Sequence, residues 1–246
     1  MVITSESSSG TARANNTSRA LIQTPGPMMS QPLHQLRDSD DGKIVSIEIP
    51  PASSADNEKF VREIVNIINV EYRWGEGGVV RDGTQRTTIS EVEDQLHARQ
   101  LFVAFLTSSD GRRAPIGCIF VKQLNATHGT LGLLAVRSDH QGSGLARDLV
   151  RFGEEHCRRA LGVKAMRIEL LVPTSFESAH KVRLQAWYEK MGYVVVAMGD
   201  FRADYPHMVL LLLGPTDYRV FEKSLDITIQ TRASATQDQG CLSAKL

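Results

Sequence analysis

Between Thr130 and Ala160 an apolar run, a turn with two glycines and an amphipathic helix follow one another, and few folds accommodate that order. Thr130-Leu131-Gly132-Leu133-Leu134-Ala135-Val136 is short, apolar and interrupted by glycine, which suits a buried strand. After a brief polar turn comes Gln141-Gly142-Ser143-Gly144-Leu145-Ala146. Glycine has no Cβ, so the backbone there can expose its N–H groups and let a ligand approach closely. Ala146, Leu149, Val150, Gly153 and Cys157 then recur at the 3.6-residue period of one helix face. The start of that helix points unpaired N–H donors and a positive dipole end at the turn. Strand, turn and helix start together predict an anion site suited to phosphate or pyrophosphate.

Two phosphate-loop patterns are excluded by the residues present. A P-loop closes on Gly-Lys-Ser/Thr, where this chain has Gly144-Leu145-Ala146. A dinucleotide fingerprint needs a third glycine, where this chain has Arg147. The pattern that remains is Gln/Arg-x-x-Gly-x-Gly/Ala, which Gln141 to Ala146 meets at each fixed position.

The flanking chain predicts a first strand at Ile44 to Ile49 and a helix from an Asp56 cap through Ile68. A glycine-rich loop runs from Gly75 to Gly83, and Ser90 is the expected cap of a second helix. Strands are expected at Leu101 to Leu106 and Ile116 to Leu124, joined by an Asp110-Gly111 turn. Met166, Ile168 and Leu170 alternate with Arg167 and Glu169 in a strand ended by Pro173. A helix at Ala179 to Lys190 precedes strands at Tyr193 to Ala197 and Met208 to Leu213. Hairpins early and helix crossovers late describe an α/β chain, a central mixed sheet with helices on both faces. Residues 1–41 are polar and proline-rich and are expected to be disordered, as is a polar tail at 225–246; the folded domain is then 42–224.

The 28 basic and 28 acidic residues cancel, which disfavours a nucleic-acid binder. No apolar run approaches a membrane span. The three cysteines, Cys118, Cys157 and Cys241, have no metal-ligand or disulfide spacing, and no metal is expected. Such cysteine usage fits a reducing, cytoplasmic setting. No sequence feature specifies an oligomeric state.

A second motif lies in register with the first. Leu184-Gln185-Ala186-Trp187-Tyr188-Glu189-Lys190-Met191-Gly192-Tyr193 follows the phosphate turn with one strand between. Gln141 to Ala146 resembles the acetyl-CoA site of the GNAT (Gcn5-related) N-acetyltransferases, and Trp187 to Tyr193 resembles the closing motif of that family. Fungal and bacterial acetyltransferases of unknown substrate carry similar strings. The whole element order from Lys43 to Leu213 matches the GNAT fold, that of the acyl-CoA N-acyltransferases.

The resemblance implies that the amides of Gln141, Gly142, Ser143, Gly144, Leu145 and Ala146 hold the coenzyme A pyrophosphate. It also implies that Leu134, Ala135 and Val136 hold the pantetheine arm, and that Tyr188 lies beside the thioester sulfur. Lys181 stands where many members have asparagine; either it holds the helix beside the cofactor or it meets a cofactor phosphate. Direct acetyl transfer needs a base for the amine, donors for the developing oxyanion and an acid for the leaving thiolate. A backbone N–H near Leu134 to Val136 is the simplest oxyanion donor, and Tyr188 is the candidate acid. Glu169 is either a base acting through water or a carboxylate paired with Arg167. The expectation is an N-acetyltransferase that moves acetyl from acetyl-CoA to a primary amine of a small molecule or peptide. The acceptor site is expected at Tyr72 to Thr88 and Asp200 to His207. The alternative is a non-catalytic acyl-CoA-binding or regulatory module on the same scaffold.

Overall fold

The computed structural model describes residues 34–38 and 44–226. The expected disordered segments therefore lie mostly outside the described residues. The part of the first that is described, β1 (His34–Asp38), is a strand paired antiparallel with β2 (Ile44–Glu48).

Helix α1 (Glu58–Gly75) begins at Asn57, whose Oδ1 accepts from the Phe60 amide at 3.2 Å. Asp56, the cap expected from sequence, is instead the last residue of a 3-10 turn over Ala52–Asp56. Helix α2 (Ile89–His97) is capped by Thr88 rather than Ser90. Thr88 and Glu91 satisfy each other's amides in a capping box, so the helix starts two residues earlier. Strands β3 (Leu101–Thr107) and β4 (Arg113–Gln123) form the expected hairpin, and β5 (His128–Val136) follows. Then come α3 (Leu145–Ala160), β6 (Ala165–Pro173) and α4 (Ala179–Lys190). The chain closes with β7 (Val194–Met198), the short α5 (Phe201–Asp204) and β8 (Thr216–Ser224).

These strands form one mixed sheet in the order β1-β2-β3-β4-β5-β6-β8-β7, in which β5 and β6 are the parallel pair. Helices α1 and α2 cover one face. Val61, Ile64, Ile67 and Ile68 recur at helical spacing and pack with Val92 and Leu96 against Leu101, Val103 and Phe105. Helix α3 covers the other face through Leu145, Leu149, Val150 and Cys157, joined there by Tyr188 of α4. Each fully buried side chain of this size contributes roughly 1.5–3 kcal/mol.

The expected strand at Met208 to Leu213 is not formed. Val209–Leu211 is a 3-10 turn with Leu210 81% exposed, and Val80 bridges to Leu212. The strand that pairs with β6 and β7 is β8, which sequence reading left unassigned. Its charged positions hid it: Arg219 bonds Asp217 and Gln185, Glu222 pairs with Arg167, and Lys223 pairs with Glu154.

Candidate active site

Strands β5 and β6 share a ladder only from His128–Leu131 to Ala165–Ile168. Beyond it they part, so β5 from Gly132 to Val136 has no strand partner on its β6 side among the described residues. The parting coincides with a bulge. Cys118 of β4 lies opposite Ala135 and Phe120 opposite Gly132, so Ile119 faces both Leu133 and Leu134. Leu133 has φ 45°, a left-handed angle that costs a non-glycine residue about 1–3 kcal/mol. The extra residue reverses the pleat. Leu131 packs on the α3 face, Leu133 and Ala135 on the α1 face, and Leu134 and Val136 on the α3 face again. Backbone donors of β5 are thereby turned toward an open cleft.

That cleft has a volume of about 560 Å³. Of the residues singled out from sequence, Leu134, Ala135, Val136, Gln141, Ala146, Glu169, Lys181 and Tyr188 line it. Gly142, Ser143, Gly144 and Leu145 do not; they form the turn into α3. Gly142 and Gly144 have φ 76° and 91°, and Gly144 is the N-cap residue of α3 with no side chain to cap the helix. The Leu145 amide reaches Ser143 Oγ at 3.4 Å, and the amides of Ala146 and Arg147 remain for an outside acceptor. A Cβ added at Gly142 would meet nothing within 4 Å, so space lies open above the turn. Leu145 is buried in the core beneath, which ties the turn to the sheet. Ser143 Oγ donates to the His140 carbonyl at 2.7 Å.

Glu71 of α1 fastens the turn to the other wall. Its carboxylate accepts from the Ser138 amide at 2.9 Å and from Gln141 Nε2 at 2.8 Å, and the same Nε2 reaches the Val136 carbonyl at 3.1 Å. Gln141 thus spends its side-chain donors on the protein. Sequence reading missed Glu71, which sits on a helix face with no motif around it.

Lys181 lies in the first turn of α4, after the Ser178 cap, and is 5% exposed. Burial lowers its pKa, and Arg86 adds to this while Glu76 opposes it. Tyr188 is 7% exposed, with its ring against Tyr193 and Phe221 at centroid distances of 6.0 and 6.1 Å. Its hydroxyl makes no hydrogen bond among the described residues, and burial raises its pKa, so the phenol holds its proton at neutral pH.

Glu169 projects into the cleft, and burial raises its pKa above the ordinary carboxylate range; Tyr218 and Arg167 oppose that shift. Arg167 itself pairs with Glu222 at 3.0 Å. The Tyr218 hydroxyl, close to Glu169 and Tyr205, is buried with no partner in good hydrogen-bond geometry. Burial lifts the thiols of Cys118 and Cys157 to about 12, so neither is a nucleophile at neutral pH. No group of three or more candidate metal ligands occurs among the described residues, and none of their helices is long and apolar enough to cross a membrane.

A parted parallel strand pair beside a glycine turn leaves backbone donors open to a bound ligand. Residues 97–195 match the model of the acetyltransferase (GNAT) domain. A chain of the NatC complex bound to Gag peptide and CoA is 21% identical, with 74% of this chain and 99% of that one covered at a TM-score of 0.51. The ribosomal-protein-S18-alanine N-acetyltransferase from Escherichia coli is 14% identical, with 74% and 95% covered at a TM-score of 0.48. A comparison with curated protein sequences found no match. Residues 97–195, which carry both sequence motifs, are thus similar to the GNAT acetyltransferase domain, and the NatC chain shares the fold.

Proposed function

We propose that the protein transfers an acetyl group from acetyl-CoA directly to a primary amine. The observation that carries this reading is the parting of β5 and β6 beside the Gly142–Gly144 turn, with Glu169 and Tyr188 in the same cleft. The turn amides and the start of α3 suit the coenzyme pyrophosphate. The unpaired edge of β5 at Leu134 to Val136 suits the amide-bearing pantetheine arm, and one of its N–H groups suits the developing oxyanion.

In this reading Glu169 accepts the amine proton through water, and its raised pKa makes it a stronger base than a surface carboxylate. Tyr188 gives its proton to the leaving thiolate. Lys181, buried in the first turn of α4, lines the cleft and favours negative charge there. The acceptor enters between α1, the loop after it, and the Phe201–Met208 segment. The NatC complex binds a peptide together with CoA, and a peptide N-terminus is an amine of this general kind.

The test is turnover of acetyl-CoA with a mixed library of amines and peptides, read as free thiol. Acceptor-dependent thiol release is expected. Coenzyme A binding with no amine turned over would instead favour the non-catalytic module.

A further inference from the structure

We propose that the acceptor amine carries a carboxylate a few bonds from its nitrogen, as an amino acid does, and that Arg86 holds that carboxylate. The proposal deepens the acetyltransferase reading and rests on it.

Arg86 lies in the loop between α1 and α2 and lines the cleft. Its backbone is held by one side chain of α1. Asn69 Oδ1 accepts from the amides of Arg86 at 2.7 Å and Thr87 at 3.0 Å, and Asn69 Nδ2 donates to the Thr87 carbonyl at 2.9 Å. Thr87 is 2% exposed, and Thr88 begins the capping box of α2. The guanidinium lies over the Tyr72 ring, 5.2 Å from its centroid. Both ends of the side chain are therefore positioned by the protein before any ligand arrives.

The guanidinium is nevertheless without a carboxylate. The other half-buried arginines, Arg137, Arg158, Arg167 and Arg219, each form an ion pair. Arg86 forms none among the described residues, and its side chain makes no hydrogen bond there. A half-buried guanidinium has five donors to satisfy and cannot shed its charge. The cleft's own carboxylates do not supply the missing partner. Glu71 is engaged with Ser138 and Gln141, and neither Glu76 nor Glu169 lies within ion-pair distance of Arg86. Lys181 adds a second cation to the same cleft.

The phosphates of the coenzyme are not the expected partner. The groups that act electrostatically on Arg86 include Tyr72, Glu76, Tyr205 and Glu91, none of which belongs to the phosphate turn. Glu169, the proposed base, feels the charge of Arg86. A carboxylate on the guanidinium would thus place a nearby amine within the base's surroundings. Planar, bidentate pairing makes arginine well suited to that anchor.

The test uses the full chain with acetyl-CoA and matched acceptors: amino acids, their amides, the corresponding decarboxylated amines, and short peptides. Free amino acids should exceed their amides and decarboxylated counterparts by at least ~30-fold in kcat/KM, the factor for losing one partner of a buried charge pair. Arg86→Gln should erase that preference while leaving the thermal shift with coenzyme A unchanged. Arg86→Glu should shift the preference toward diamines. Equal use of acids and amides, or a preference untouched by Arg86→Gln, would overturn the anchor while leaving the acetyltransferase reading intact. Preference for peptides with no carboxylate near the amine would overturn it too. If no amine is turned over, the acetyltransferase reading fails, and binding decides the anchor separately. An N-acetylated amino acid must then raise the melting temperature of the coenzyme A complex in wild type but not in Arg86→Gln, and absence of that difference overturns the proposal.

Discussion

Replacing Tyr188 with phenylalanine separates chemistry from packing because its ring is packed while its hydroxyl bonds no other described residue. The ring packs against Tyr193, Phe221 and Trp187 at 6.0, 6.1 and 5.1 Å between centroids, and phenylalanine keeps all three contacts. Tyr188 lines the cleft and its hydroxyl has no hydrogen-bond partner among the described residues, so its removal strands no buried donor or acceptor. The usual cost of about 1–3 kcal/mol for an orphaned partner is therefore absent, and stability should change by about 0.5 kcal/mol or less. If the phenol protonates the leaving thiolate, kcat should fall by roughly 10²–10⁴-fold. KM for acetyl-CoA should stay near its wild-type value, because the interaction matters in the transition state and little in the ground state. The assay is steady-state thiol release on an acceptor for which chemistry limits the rate, with a melting curve on the same preparation. A kcat within about threefold of wild type would refute the role. A large loss of stability would refute the claim that the hydroxyl is free of structural partners.

Three further outcomes are expected. Gly144→Val forces a β-branched residue into φ 91°, a strain of about 1–3 kcal/mol, and should abolish the thermal shift with coenzyme A in a protein that still folds; an unchanged shift would remove the turn from the cofactor site. Glu169→Gln should remove the rising acid limb of kcat/KM, because the base must be ionised. Burial raises the pKa of Glu169 in the folded state, so its stabilising contribution is full below the unfolded carboxylate value and is lost as pH rises through the folded one. The variant should therefore match wild type at acid pH and gain stability relative to it as pH rises, and pH-dependent melting curves check the sign. Glu154→Ala removes the partner of both Lys223, at 2.8 Å, and Tyr193 Oη, at 2.8 Å, in a buried network. Destabilisation of about 3–5 kcal/mol is expected in denaturant titration, with part recovered by adding Lys223→Met.

The order of elements from Ile44 through the start of β7 was legible because period, glycine and proline act locally. The alternation of Met166, Ile168 and Leu170 marks a strand whatever its neighbours. Two glycines before the apolar stripe of α3 mark a turn that needs positive φ, and both adopt it. The caps of α1 and α2 were misplaced by one and two residues because neighbouring Asp, Asn, Thr and Ser compete for the same amides. Strand β8 was missed because its charges find partners on strands and helices far away in sequence. Met208 to Leu213 does not form the expected strand, since an apolar run does not show whether it pairs as a strand or turns in a 3-10 loop with Leu210 exposed.

From the sequence alone came the glycine turn, the mixed sheet and the two motifs that resemble the GNAT family. These rest on backbone conformations and periodicities that a few adjacent residues dictate. Only the tertiary structure decided what surrounds the cleft. Glu71 reaches Gln141 across seventy positions, the β5 bulge turns Leu133 away from Leu131, and Asn69 fixes the loop that carries an unpaired Arg86. The reason is physical: burial, ion pairing and strand separation depend on groups brought together by folding, and no local pattern encodes which of them will meet.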